Sequence, residues 1–433
     1  MARLSIFWGD RLVGYLSRHT KGLGRLRFRY DRDWLSDIGR PISLILPCRE
    51  ERFPQEASTA FFENLLPESD VRTILAFNNR FDKKDTYAFL EHFGQDCAGA
   101  LSIIPEGQEL DTKPWQYTEI TDDLVNALDA IQKSIKKGSS DVKLYSEIQP
   151  ARLSIAGAQD KLPVYYSDGK FFLPANSGSA TTHIIKPISP LFNGIQRNEA
   201  FCMELARRIG LRVPRSELYH IGSHELYLIE RFDRVITEER VARVHQEDFC
   251  QAMGVRAYKK YQVDGGPDFA KCRSLIDEHL SHQSVDVRTE WVKVLTFNHI
   301  IGNHDAHGKN FSIIHGPEIK MAPYYDLLST MVYDGLEEVF AMSIGKACKH
   351  ENIKARSYKD FARDMGFRPS KVAEILNSII EKVHEEASVL FSEHEGKYGS
   401  SPIYSDLEKV LSVNLQRVAE IRDKISDKGT GRK

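Results

Sequence analysis

The six cysteines of this 433-residue chain, Cys48, Cys97, Cys202, Cys250, Cys272 and Cys348, stand singly, with no CxxC pair and no Cys/His cluster. That absence argues against a zinc site. The opening residues, Met1-Ala2-Arg3-Leu4-Ser5-Ile6-Phe7-Trp8, lack the apolar core and small-residue cleavage site of a signal peptide, and no apolar run reaches membrane-spanning length. The expectation is a cytoplasmic protein with reduced thiols and no membrane partner. An excess of either sign of charge is missing too. With 59 Lys and Arg against 61 Asp and Glu, the formal net charge is -2, which argues against a general polyanion binder. Neither GxxxxGKS/T nor GxGxxG occurs, and there is no repeat and no long low-complexity segment.

What is present is an ordinary globular composition, 41% hydrophobic and 28% charged, in a chain too long for one compact core. More than one domain is expected. Leu4 to Trp8 and Leu12 to Leu16 read as a hairpin joined at Gly9-Asp10, followed by strand-like runs at Leu26 to Tyr30 and Ile42 to Leu46. Arg25, Arg27 and Arg29 alternate and would share one face of their strand, either a local basic patch or a plain solvated face. From Phe61 the pattern turns helical, and a strand follows at Ala100 to Ile104. Residues 1–110 therefore read as a small α+β subdomain and 111–148 as a helical linker region around Asp122 to Lys136.

Residues 149–234 read as strand-rich. Strands are expected at Leu162 to Tyr166 and Lys170 to Leu173, around a turn at Ser167-Asp168-Gly169. Ahead of them, Ala156-Gly157-Ala158-Gln159-Asp160-Lys161 offers small residues that let backbone N–H groups approach a phosphate; an ordinary turn reads as well. Thr182 to Pro187 reads as a buried strand ending in Lys186, and a helix carrying Glu199 follows. A buried lysine needs a partner, either a nucleotide phosphate or Glu199, and the alternative for Glu199 is a solvated helix position. The strand Glu225 to Ile229 leads into Glu230-Arg231-Phe232-Asp233-Arg234. Residues 235–433 read as mainly helical, with Gln246 to Met253, 268–282, 287–301, 370–390 and 404–425 as helices and a loop at Asp264-Gly265-Gly266-Pro267.

Within that helical part, His304-Asp305-Ala306-His307-Gly308-Lys309-Asn310 sits between the apolar runs Val292 to Ile301 and Phe311 to Ile314, and Asp326 follows sixteen residues after Asn310. The spacing of Asp, Asn five residues on, and a later Asp is that of a protein kinase's base and two magnesium ligands. These residue types also make ordinary surface turns. What separates the two readings is order along the chain: small-residue loop, strand lysine, connecting segment, Asp and Asn, last Asp. Each part then has a task in phosphoryl transfer. Asp305 can accept a hydroxyl proton, Asn310 and Asp326 offer hard oxygens, Lys186 can meet phosphates, and Glu230-Arg231-Phe232 can offer backbone groups and an aromatic face to adenine.

Ser154-Ile155-Ala156-Gly157-Ala158-Gln159-Asp160-Lys161, Thr181-Thr182-His183-Ile184-Ile185-Lys186, Glu230-Arg231-Phe232-Asp233, Asp305-Ala306-His307-Gly308-Lys309-Asn310-Phe311 and Tyr324-Tyr325-Asp326, with Asn64-Leu65-Leu66-Pro67, together resemble the HipA family of serine/threonine kinase toxins. The resemblance implies an α+β, two-lobed, protein-kinase-like fold with an N-terminal extension, and ATP with magnesium (Mg2+) as cofactors. It implies Asp305 as catalytic base, Asn310 and Asp326 as metal ligands, and Ala156 to Lys161 as the phosphate loop. Lys186, His307 and Tyr325 would lie at the nucleotide, and Glu230 to Phe232 would hold its adenine. Ser154 would be autophosphorylated, shutting the kinase off; about two added negative charges beside a polyphosphate site repel ATP. The implied partners are a HipB-like helix-turn-helix antitoxin, operator DNA mainly through that antitoxin in an autoregulating complex, and glutamyl-tRNA synthetase as protein substrate, with antibiotic tolerance and persistence as the outcome. From another functional class, the alternative is a catalytically silent co-repressor that works only with a DNA-binding antitoxin.

Overall fold

The computed structural model describes residues 3–18, 25–37, 39–138, 144, 148, 160–280 and 283–426. The chain divides into two compact units. The first holds Met1–Leu191, Glu217–Tyr258 and Ser312–Pro317; the second holds Phe192–Ser216, Lys259–Phe311 and Glu318–Lys433.

In the first unit, strands Arg3–Trp8 and Arg11–Arg18 form the expected hairpin, closed at Gly9 with φ 64°. Tight two-residue turns need that left-handed region, and glycine enters it without a Cβ penalty. Leu26–Tyr30 and Leu101–Pro105 flank the hairpin in a four-stranded antiparallel sheet. Alternation along Leu26–Tyr30 puts Leu26, Phe28 and Tyr30 in the core and leaves Arg27 and Arg29 exposed, so those arginines make a solvated face. Ile42 to Leu46 is not a strand. One bridge links Ser43 to Leu46, and the polar groups a strand would spend on a neighbour go to buried Glu247, which accepts from Ser43 Oγ at 2.6 Å and Leu44 N at 3.0 Å.

A six-stranded sheet carries the second half of this unit, in the order Tyr117–Glu119, Lys170–Pro174, Leu162–Ser167, His183–Lys186, His224–Glu230, Ser216–Ile221. The helix Thr121–Lys136 buries Leu124, Leu128 and Ile131 on one stripe, as their spacing predicts. Gln246 to Met253 departs from its expected helix: Gln246–Asp248 is a strand and only Phe249–Ala252 is helical. The switch occurs at Asp248, whose side chain accepts from Gln251 N at 2.8 Å and starts the helix there.

The second unit is built on Ile195–Arg208, Phe269–His279, Ser284–Ile301, Ala355–Asp364, Pro369–Tyr398 and Pro402–Ser426. In Pro402–Ser426 the buried stripe is Leu407, Leu411, Val418, Ile421 and Ile425, with Asn414 at its centre and Leu415 half-buried beside it. Asn414 can occupy the core because Nδ2 donates to Ile300 O at 3.2 Å and Oδ1 meets His350 Nε2 at 3.0 Å. The helix Ile195–Arg208, in a segment that the sequence places with the strand-rich part, packs among these helices. Among the described residues, no helix is long and apolar enough to cross a membrane.

Candidate active site

The helix Ser284–Ile301 ends because Gly302 adopts φ 69°, and a Cβ there would meet Met331 Sδ at 2.7 Å. Immediately after this stop, the chain has no helical partners left and must satisfy its backbone through side chains. Asn303 does much of this. Its Nδ2 donates to Asn298 Oδ1 at 3.0 Å and its Oδ1 accepts from the N–H of Asp305 at 3.1 Å, while its own N–H reaches Asn298 O at 2.8 Å. Asn303 is buried, whereas Asp305, two residues on, is exposed. A rigid base therefore presents an accessible carboxylate.

The loop beyond Asp305 is folded as a short 3-10 turn, Gly308–Asn310. The N–H of His307 lies 2.8 Å from Asp305 O and 3.1 Å from Asn310 Oδ1, and Asn310 N donates to His307 O at 2.9 Å. Asn310 Nδ2 then donates to Asp326 Oδ2 at 2.8 Å. The second loop is fixed to the first by the Tyr325 hydroxyl, which donates to Lys309 O at 2.7 Å. Asp326 has φ 61°, a left-handed conformation that a non-glycine residue holds at a cost of about 1–3 kcal/mol. Such a cost persists where the surroundings over-determine the residue, and here the bonds at Asn310 and Tyr325 do so.

Behind the loop, His304 is buried with Nε2 3.1 Å from His350 Nδ1, and His350 Nε2 meets Asn414 Oδ1 at 3.0 Å. An amide oxygen can only accept, so His350 carries its proton on Nε2 and His304 donates to it. The chain has one polarity only while both rings are neutral. Burial first, then the neighbouring ring, pulls His304 down to about 4; burial and Arg417 do the same to His350, also to about 4.

Lys186 lies in the first unit, buried at the end of the strand His183–Lys186, which pairs with His224–Glu230 so that Tyr227 faces Lys186. Glu199, in the second unit, is buried as well, so it is not a solvated helix residue. Glu230 is exposed and Phe232 half-buried. Arg231 is different from both. Its guanidinium is buried against Asp233 at 2.8 Å, Thr181 Oγ1 at 2.8 Å and Cys97 O at 3.1 Å, in a cluster completed by Asp96, Arg234 and Arg243. Burial alone would raise Asp96, but Arg234, Arg243 and Arg231 hold it below the carboxylate range. The Arg231 side chain is thus committed to the frame, and its N–H is already given to Thr182 O at 2.8 Å. Asp160 accepts from Leu144 N at 2.9 Å, and Lys161 leads into the strand Leu162–Ser167. Ser154, Ala156, Gly157, Ala158 and Gln159 lie outside the described residues.

The donor set fits magnesium better than a metal held by protein alone. Among the described residues no group of three His, Cys, Asp or Glu could hold an ion, whereas Asn310 and Asp326 place an amide and a carboxylate side by side. Magnesium is commonly held by one or two such groups together with substrate phosphates.

Residues 4–104 match the family described as HipA N-terminal domain, and residues 153–387 match that described as HipA-like C-terminal domain. The chain belongs to the HipA family. It is 36% identical over 407 residues to the protein named putative kinase Y4mE of Sinorhizobium fredii, covering 91% of this chain and 93% of that one. It is 29% identical over 394 residues to the serine/threonine-protein kinase toxin HipA of Shewanella oneidensis, covering 88% and 87%. The solved Shewanella oneidensis complex of HipA, HipB and operator DNA contains a chain that superposes with TM-score 0.79 at 26% identity over 97% of both chains. HipA membership thus supports kinase activity at the level of the family. Two residues of the loop network carry no motif and only their hydrogen bonds reveal them: Asn303, and Tyr261, whose hydroxyl donates to Asp305 Oδ1 at 2.8 Å.

Proposed function

We propose that this HipA-family chain is an ATP-dependent serine/threonine protein kinase, two-lobed in the manner of kinases, and the toxin of a toxin–antitoxin pair. The observation that carries the reading is the joining of Asp305, Asn310 and Asp326 through one hydrogen-bonded pair of loops. In the reaction, a substrate hydroxyl oxygen forms a bond to the γ-phosphorus and the bond from that phosphorus to the β–γ bridging oxygen breaks. ADP departs with the bonding electrons, and the hydroxyl proton passes to Asp305. Asn310 and Asp326 would hold magnesium, which supplies charge neutralisation at the phosphates. Lys186, Lys161 and His307 would meet phosphate oxygens. Glu230 and Phe232 would present backbone and ring to adenine, and Tyr325 would keep the metal loop in place. The part assigned to Arg231 is to set that segment's backbone through its ion cluster.

Ser154, in the segment ahead of Lys161, is the proposed autophosphorylation site and off-switch. The proposed partner is a HipB-like antitoxin through which the protein reaches operator DNA, a reading supported by the composition of the Shewanella oneidensis complex. Glutamyl-tRNA synthetase is the proposed substrate, by family resemblance, with arrest of translation and persistence following from it. Phosphoproteomics after induction of the wild type beside Asp305→Gln tests the proposal. Growth arrest and a phosphorylated synthetase with the wild type alone are expected; undiminished toxicity of Asp305→Gln overturns it.

A further inference from the structure

The loop Lys259–Gly266 has no part in the function proposed so far, yet it touches the site's central carboxylate. The Tyr261 hydroxyl donates to Asp305 Oδ1 at 2.8 Å, and its ring stands edge-on to His307 with centroids 5.3 Å apart. The ammonium of Lys260 lies 5.4 Å from the Tyr261 ring centroid. Three further ties seat the loop. Gln262 Oε1 accepts from Ser343 N at 2.7 Å, Gly266 N donates to Tyr261 O at 2.9 Å, and Lys271 Nζ donates to Gly266 O at 3.1 Å. Glycine is required at 266 because a Cβ would stand 2.4 Å from Lys259 O and 2.7 Å from Tyr261 O. Gly266 thus allows the close return of the loop on Lys259 and Tyr261, next to Gly265 with φ 93°.

We infer that Tyr261 is a positioning residue for the phosphoryl-transfer base: its hydroxyl holds the Asp305 carboxylate in the rotamer that receives the substrate hydroxyl. The argument is geometric. An exposed carboxylate takes the staggered rotamer that its bonds select, and the Tyr261 hydroxyl bonds Oδ1 of Asp305 at 2.8 Å. A phenol bond to one oxygen fixes the direction of the other, and it does so from a second loop that is itself locked. Near-attack alignment is steep in distance, so removing that bond slows transfer without altering nucleotide capture. Tyr261 differs from a residue that merely fills space, since Tyr261→Phe keeps the ring against His307 and removes one donor.

This inference rests on the kinase reading, and the experiment separates the two. Phosphate gain by the full-length protein is followed by intact mass at a series of ATP·Mg2+ concentrations, giving a maximal rate and a half-saturating ATP concentration. For Tyr261→Phe the maximal rate falls roughly 10- to 100-fold, while half-saturation and the thermal midpoint stay at wild-type values. Gly266→Ala, which displaces the loop by steric conflict, lowers the maximal rate at unchanged half-saturation, with a lowered thermal midpoint. Val263→Ala, on the same loop with Val263 89% exposed, leaves the rate unchanged. A maximal rate within twofold of wild type for Tyr261→Phe overturns the inference and leaves the kinase reading standing. A parallel loss of ATP saturation overturns it too, because Tyr261 would then shape the nucleotide site. No phosphate gain by the wild type itself defeats the kinase reading and this inference together.

Discussion

Asn310 Nδ2 lies 2.8 Å from Asp326 Oδ2, so two residues sixteen apart in sequence share one polar contact. The same amide, through Oδ1, receives the N–H of His307 at 3.1 Å. It is thereby bound to the loop of the proposed base and to the loop of the second proposed ligand. Replacing a hard oxygen ligand removes charge compensation for the phosphates. Asp326→Ala and Asn310→Ala are each expected to weaken ATP·Mg2+ binding at least tenfold in calorimetry, about 1.4 kcal/mol or more. Unchanged affinity in both variants would remove them from the metal site.

Asn303 shows how a buried amide can set an exposed carboxylate. It spans the helix end at Asn298 and the N–H of Asp305. Asn303→Ala removes the donor to the buried Asn298 Oδ1, at a cost of about 1–3 kcal/mol, and the acceptor of the part-buried Asp305 N–H. Chemical denaturation should record that loss, and the rate of phosphate transfer should fall more than the ATP affinity does.

The Arg231 cluster makes a prediction of the opposite kind, about stability and not chemistry. Removing one member strands a buried charge, so Arg231→Ala is expected to cost about 3–5 kcal/mol in urea denaturation. Asp96 adds a pH dependence. Its folded pKa lies below the carboxylate range and its unfolded value is near 4, so its contribution is present above about pH 4 and is lost as pH falls toward the depressed value.

The pair of histidines behind the loop acts at higher pH. His304 and His350 are held to about 4 in the folded protein, against about 6.5 when unfolded. Between those values the unfolded chain takes protons that the folded one refuses, so stability falls as pH drops from about 7 toward 4. The slope is about 1.4 kcal/mol per pH unit for each such site. His183, His245, His299 and His394 are lowered by burial too, so thermal unfolding measured from pH 7.5 to 5 should show the decline and His350→Phe should lessen its slope without abolishing it.

Ser154→Ala supplies a test of the proposed off-switch. With ATP and magnesium, the wild type should gain one phosphate by intact mass and lose transfer activity as it does so. The alanine variant should gain none at that rate and stay active. Equal phosphorylation of the two proteins would move the switch elsewhere.

Much of this architecture was legible from patterns local to the chain. The Gly9-Asp10 hairpin, the Ser167-Asp168-Gly169 turn between Leu162–Ser167 and Lys170–Pro174, and the stripe of Leu124, Leu128 and Ile131 all follow from turn chemistry and periodicity. The Asp305, Asn310 and Asp326 spacing was legible for the same reason, since two loops carry it. Legibility failed wherever a distant partner decided the outcome. Ile42 to Leu46 has the apolar content of a strand, but Glu247 takes its polar groups. Gln246 to Met253 reads as one helix, but Gln246–Asp248 pairs with the distant strand Ser312–Ile314 and the helix starts only after Asp248. Arg231 sits in a segment whose resemblance implies adenine binding, yet its side chain answers to Asp96, more than a hundred residues earlier. Tyr261 and Asn303 belong to no recognised spacing; the part of Tyr261 exists only once its loop folds against that of Asp305.

The most direct measurement is transfer of γ-labelled phosphate by purified wild-type protein beside Asp305→Gln, at equal concentration with ATP and magnesium. Asp305 as the base predicts transfer by the wild type and, since a positioned base contributes typically 10²–10⁴-fold, a loss of roughly that size in the variant with ATP still bound. Transfer by Asp305→Gln at the wild-type rate would contradict the account.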